Sequence, residues 1–224
     1  MRTTLSAVHA ERAFLDFILS SNFPCLGAKA ALNSGSQTLS VFDQLAGAES
    51  TRALAKALGD FDPRSEFATF VAIFEQPRNI TEIEFENLLW KQLRLLHAQD
   101  AGSRWDCHVA SDPDDPHFSF SFAGRALYVI GMHANSSREA RRFSLPTLVF
   151  NPHEQFERLR AEGNWTRMQE SIRERDRQLQ GTVNPMLADF GVQSEARQYS
   201  GRVVEKTWRA PFPAAEGKCP FAHQ

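Results

Sequence analysis

His133 closes an apolar run, Leu127-Tyr-Val-Ile-Gly-Met132, and Arg138, Arg141 and Arg142 follow shortly after it. A neutral imidazole beside clustered guanidiniums suits an anionic ligand, or a metal held in an anionic macrocycle, because guanidinium forks pair with carboxylates. A strand end that meets solvent, followed by a solvated basic loop, gives the same pattern. Gly131 precedes His133 on the same strand face and carries no side chain. That gap would let a flat cofactor approach the backbone; a bulge or tight packing explains a strand glycine equally well.

Four other residues could do chemistry. His153 follows Asn151-Pro152, where Asn151 reads as a helix N-cap and Glu154 completes a capping box. At the second position of that helix, the dipole disfavours imidazolium and keeps the ring neutral, as a metal ligand or general base requires. A surface histidine near a cap is the plain alternative. His97 lies on the edge of an apolar stripe, where it reads as a boundary residue. Cys25 follows Phe23-Pro24 at a helix break, and Cys219 sits in Lys-Cys-Pro-Phe. A Cys-Pro pair is a context for thiolate haem ligands, but small-hydrophobe packing is the default for both cysteines.

The elements that must position these residues can be read from periodicity. Phe118, Phe120 and Phe122 alternate with serines, the period of a half-buried strand, and Ala123-Gly124-Arg125 can turn the chain into the apolar run. Residues 67–75 and 147–150 read as strands, and 38–45 as a third. Helices are expected over 11–20, 26–33, 50–58 (stopped by Gly59), 79–97 and 166–180, with another beginning at Asn151. The 79–97 segment is the clearest: Thr81 and Glu84 form a capping box, and Phe85, Leu88, Leu89, Leu93 and Leu96 make its stripe. Residues 98–116 form a long loop, suited to a lid. Strands and helices do not alternate regularly, so the expected class is α+β, a single domain over 1–224 with a mixed or antiparallel sheet and flanking helices. Residues 1–10 and 222–224 are expected to be flexible.

Composition narrows the function. A net charge of −2 gives no whole-molecule attraction to nucleic acid or membrane. No apolar run approaches the ~20 residues of a membrane span. The first apolar segment contains Asp16 and lacks a small-residue cleavage site, so no secretory signal is expected. Three cysteines form neither a CxxC pair nor an even set, which suggests reduced thiols and a cytoplasmic home. There are 18 Phe against 2 Tyr, an aromatic volume that suits an apolar pocket and leaves room for an apolar interface such as that of a homodimer. The dinucleotide, P-loop, nucleophile-elbow and zinc signatures are absent, so a self-contained nicotinamide, flavin or ATP enzyme is not expected.

Phe23-Pro-Cys-Leu-Gly-Ala-Lys-Ala-Ala-Leu32, Phe118-Ser-Phe-Ser-Phe, Val129-Ile-Gly-Met-His133, Arg138 to Arg142, Leu148-Val-Phe-Asn-Pro-His-Glu-Gln-Phe156 and Lys218-Cys-Pro-Phe221 come in the order of the YqcI/YcgG family, which the chain resembles from about residue 20 to 221. More narrowly it resembles the GntA-like branch of haem-dependent guanidino N-hydroxylases. The resemblance implies a haem b enzyme that takes dioxygen and electrons from an external donor and hydroxylates a guanidino nitrogen of arginine or an arginine-like amino acid. His133 is then the expected iron ligand, with Arg138, Arg141 and Arg142 near the propionates and His153 in the distal pocket or supporting the fold. Cys25 is the rival ligand, since a thiolate favours O–O cleavage. The substrate guanidinium needs a carboxylate, for which Glu75, Asp100, Asp106 and Glu195 are candidates. A non-catalytic haem or small-anion binding protein, or a sensor, is the alternative.

Overall fold

The computed structural model describes residues 2–65 and 67–213. Five strands, β1 (Gln37–Gln44), β2 (Thr69–Gln76), β3 (Phe120–Phe122), β4 (Arg125–Met132) and β5 (Thr147–Pro152), form one sheet in the order β1-β2-β5-β4-β3. β1 and β2 are parallel, joined through helix α3 (Ala48–Asp60); the other pairs are antiparallel. The protein is therefore α+β with a mixed sheet.

β2 explains the layering. Thr69 to Phe74 are buried without alternation, so both faces of the sheet must be covered. On one face Phe70, Ala72, Phe74, Leu127, Val129, Leu148 and Phe150 pack against α3 and α4 (Glu82–Gln99). On the other, Val71, Ile73, Ile130, Met132 and Val149 meet α1 (Arg2–Leu19) and α2 (Leu26–Ser34). Helices α5 (His153–Ala161) and α6 (Trp165–Gln180) extend this second layer, and the short α7 (Ala196–Tyr199) lies beside β4.

Local signals mostly act as their chemistry requires. The Thr81–Glu84 capping box forms at the start of α4, with Thr81 accepting from the Glu84 amide and Glu84 from the Thr81 amide. Gly181 ends α6 at φ +79°, and Ala123 and Gly124 turn β3 into β4 at φ +52° and +71°.

Several expectations change. Gly59 lies inside α3, which runs to Asp60 and gains a guanidinium at its carbonyl end: Arg125 donates to the carbonyls of Leu58 and Phe61. Asn151 is no N-cap; it stays in β5, accepting from Thr69 Oγ1 and donating to the Tyr128 carbonyl, so α5 begins at His153 behind Pro152. Ser119 and Ser121 are buried along with the phenylalanines, because the 98–116 loop covers that edge: Ser121 Oγ accepts from the Asp106 amide. The same loop buries Trp105 against Phe118, Phe120 and Phe212, and Asp106 accepts from the Ala126 amide, so its first half is fastened down rather than a lid.

Gly131 has a packing role. A Cβ built on it would come within 2.6 Å of Phe85 Cε1, 2.7 Å of Leu89 Cδ1 and 2.8 Å of the Tyr199 carbonyl oxygen. The gap expected to admit a flat cofactor is filled by α4 and the end of α7. Gly131→Ala should cost about 1–3 kcal/mol by overpacking, read as a fall in thermal midpoint of about 2–4 °C per kcal/mol; an unchanged midpoint would show that α4 yields freely.

Candidate functional site

Strand alternation decides which residues meet. Along β4, Leu127, Val129 and Gly131 point to α4, while Tyr128, Ile130 and Met132 line a cavity on the opposite face. Its volume is about 280 Å³, near the lower end of the range for small-molecule pockets. The sheet supplies one wall through Val71, Ile130 and Val149; α1 and α2 supply another through Phe14, Ile18, Cys25 and Ala28. The rest comes from α5, α6 and residues 184–198.

His133 is not among its lining residues. It continues the Gly131 face, 1% exposed, with its ring stacked on Phe85 at 4.5 Å and 22°. Among the described residues neither ring nitrogen has a hydrogen-bond partner. Burial holds its pKa down, with Glu82 pulling the other way, so the ring is a neutral aromatic filler between strand and helix. His133 and Arg141 are joined through their backbones, the His133 amide donating to the Arg141 carbonyl, but the His133 ring lies on the α4 side and is not brought together with Cys25 and His153 in the cavity.

The arginines separate into three roles. Arg138 is buried and paired with Asp176 on α6 at 2.5 Å, with further donation to Thr182. Arg141 lines the cavity and donates to the carbonyls of Gly131, Tyr199 and Gln198; among the described residues it makes no ion pair with a carboxylate. Arg142 points away, donating to the Ser136 and Ser137 carbonyls, and lines no part of the cavity.

Cys25 is the N-cap of α2, and its sulfur accepts from the Ala28 amide at 3.4 Å. Burial pushes its thiol up, opposed by the Ala28 and Gly27 amides and by Arg141. A sulfur at a helix start near a guanidinium is set up to carry negative charge once something removes its proton. His153 also lines the cavity, with its ring 4.5 Å from that of Phe190, Nε2 3.2 Å from Glu157 and Nδ1 buried without a partner among the described residues. Burial lowers its pKa more than Glu157 raises it.

Tyr128, Gln198 and Glu195 complete the polar wall, and Tyr199, outside the lining, holds Glu195. Tyr128 donates to Gln198 Oε1, and Tyr199 donates to Glu195 Oε1 at 2.5 Å while accepting from the Phe120 amide. Burial pushes the Tyr128 phenol up to about 12. These are the only two tyrosines in the chain, and their rings meet edge to face at 5.9 Å. The scarcity of tyrosine was the signal that could have located this wall.

The remaining carboxylate candidates are structural. Glu75 accepts from Ser6, Asp100 caps α4 and accepts from the Ala123 amide, and Asp106 fastens the loop; only Glu195 lines the cavity. His97 packs against Trp105 and Phe212. Asp106, Cys107 and His108 bring three donor atoms close together on the loop, outside the cavity. Cys219 and its Lys-Cys-Pro-Phe context lie outside the described residues. A more open cleft of about 330 Å³ beside Pro116 and Trp208 holds none of the candidates. No helix among the described residues is long and apolar enough to cross a membrane.

The model of the YqcI/YcgG family matches residues 14–213, and the chain belongs to that family. No curated protein and no solved structure matches it.

The Arg138–Asp176 pair ties the turn after β4 to α6 and closes one side of the cavity. Asp176→Ala leaves a buried guanidinium unpaired and should cost about 3–5 kcal/mol in urea unfolding, whereas Arg138→Met with Asp176→Leu should recover most of it. Equal losses in both would show that packing, not charge, holds α6.

Proposed function

We propose that this member of the YqcI/YcgG family is a haem-dependent monooxygenase that N-hydroxylates a guanidino group of arginine or an arginine-like amino acid, with haem b in the cavity and Cys25 as the iron's protein ligand. The observation that carries this reading is the placement of the Cys25 sulfur, at the start of α2 on the wall of an apolar cavity, with the Ala28 amide donating to it and Arg141 on the same wall.

The residues present fit the group. Phe14, Ile18, Phe23, Val71, Ile130 and Val149 offer an apolar seat, and Arg141 is a cation with no carboxylate paired to it among the described residues. Coordination to a metal deprotonates a thiol outright, so burial does not disqualify Cys25. The Ala28 amide then stabilises the sulfur's charge. His153, neutral and with Nδ1 unpartnered among the described residues, offers a hydrogen-bonding group to whatever shares the cavity. Bound haem would supply oxidation by dioxygen; the protein supplies the ligand, the orientation and the exclusion of water. Electrons come from an external donor.

Arg141 also suits a second reading, a non-catalytic binder or sensor of haem or a small anion in the same cavity. Absorption spectra of protein made with a haem supply, ferric and then reduced under carbon monoxide, test the cofactor. A Soret band is expected, with a thiolate-type shift under carbon monoxide that Cys25→Ala abolishes and His133→Ala leaves intact. Absence of a Soret band in the wild type would overturn the haem reading, and loss of the band in His133→Ala alone would return the ligand to His133. N-hydroxylated arginine formed with an electron donor separates enzyme from binder.

A further inference from the structure

We propose that Glu195 is the group that receives the cationic end of the substrate, and that its carboxyl proton leaves for solvent as that cation arrives. The proposal rests on reading the cavity as the substrate site, and adds to it the residue that would select the substrate's charge.

Three carboxyl side chains line the cavity. Asp176 is committed to Arg138, and Asp189 is exposed, near Arg173 and accepting from Gln169. Glu195 is different: it is 6% exposed, it lines the cavity, and among the described residues the groups at its carboxyl are neutral hydroxyls, the Tyr199 phenol that donates to it and Ser119, with no cation paired to it. A carboxylate buried without a counter-ion is costly, so such a group keeps its proton until a cation is supplied. Burial pushes the Glu195 carboxyl up to about 8, against the downward pull of Tyr199, Ser119 and the more distant Arg160.

The surroundings hold it in place without neutralising it. The titratable groups facing it are Tyr199 on α7, Tyr128 on β4 and Arg160 on α5. Arg160 is already shared with Glu157 and sits over the rings of Trp165 and Phe190. The Tyr199 hydroxyl, itself fixed by the Phe120 amide, sets the orientation of the carboxyl. A guanidinium or ammonium entering the cavity would meet a pre-oriented oxygen pair in a dry environment, where a charge-assisted bond is strong. A neutral isostere would leave the carboxyl protonated and gain no ion pair.

Linkage gives the sign. The cation binds the deprotonated form, so below about 8 each binding event releases a proton, and affinity should tighten about tenfold per pH unit until it levels off. The test is infrared spectroscopy of the full-length protein as purified, near pH 7, with arginine, agmatine and citrulline as probes, beside calorimetry of arginine binding. The carbonyl band of a buried protonated carboxyl should be present in the wild type and absent in Glu195→Gln. It should be bleached by arginine or agmatine and left by citrulline. Glu195→Gln should weaken arginine by about 30-fold or more and abolish the pH slope. Should that variant fold poorly, Glu195→Asp assigns the same band by shifting it. The proposal is overturned by a band that Glu195 substitution leaves unaltered, by one that persists with both cations present, or by equal arginine affinity in wild type and Glu195→Gln. These readouts need neither bound haem nor turnover, so the Soret band judges the cofactor separately.

Discussion

A central strand with two dry faces sets the terms for the whole molecule. Thr69 to Phe74 are all buried, and neither face of β2 tolerates water. The sheet must therefore be sandwiched, and the chain meets the requirement unequally. On the α4 face, large aromatic side chains such as Trp90, Phe85 and Phe70 fill the space completely. On the other face, α1 and α2 cover one part of the sheet, and the highly charged α5 and α6 cover the rest at a distance. A mainly apolar space, partly open to solvent, remains there, and its walls come from elements that have other structural duties.

A second constraint arises from the shortness of β3. It pairs only with Arg125 to Leu127, so beyond that point β4 is paired with β5 alone and its other edge has no strand partner. Unpaired backbone groups in a buried region need other partners. Arg141 supplies one by donating to the Gly131 carbonyl, and it reaches the Gln198 and Tyr199 carbonyls from the same guanidinium. The segment around α7 is thereby drawn against β4, which brings Glu195 and Gln198 to the cavity, with Tyr199 packed in the core beside Trp90. The polar wall is a by-product of closing a sheet edge.

Much of this was legible in the residues. The capping box at Thr81, the break at Phe23-Pro24 and the glycine after Gln180 are local and acted locally. Alternation along β4 placed His133 and Gly131 on one face, correctly, but periodicity does not say which face of a two-sided strand is solid and which is hollow. That depends on the volume of Phe85 and Leu89, which lie far away in sequence. Arg138, Arg141 and Arg142 form one cluster in the sequence, and a tight 3₁₀ turn over Glu139–Arg141 sends them to three destinations. Asn151 has the right composition for an N-cap, yet strand pairing with Tyr128 outcompetes the local cap. Glu195 stood among four candidate carboxylates with nothing local to single it out, since its burial depends on long-range packing around a helix of one turn.

The cavity's lining runs from Phe14 to Gln198. No contiguous fragment can make it: the ends of the chain must already have met across the sheet. Any small molecule held there binds the completed fold and has no counterpart in partly folded forms, so occupancy shifts the folding equilibrium toward the finished protein by mass action. A chain with such a ligand bound would unfold less often than one without it, and would be the less exposed to proteolysis.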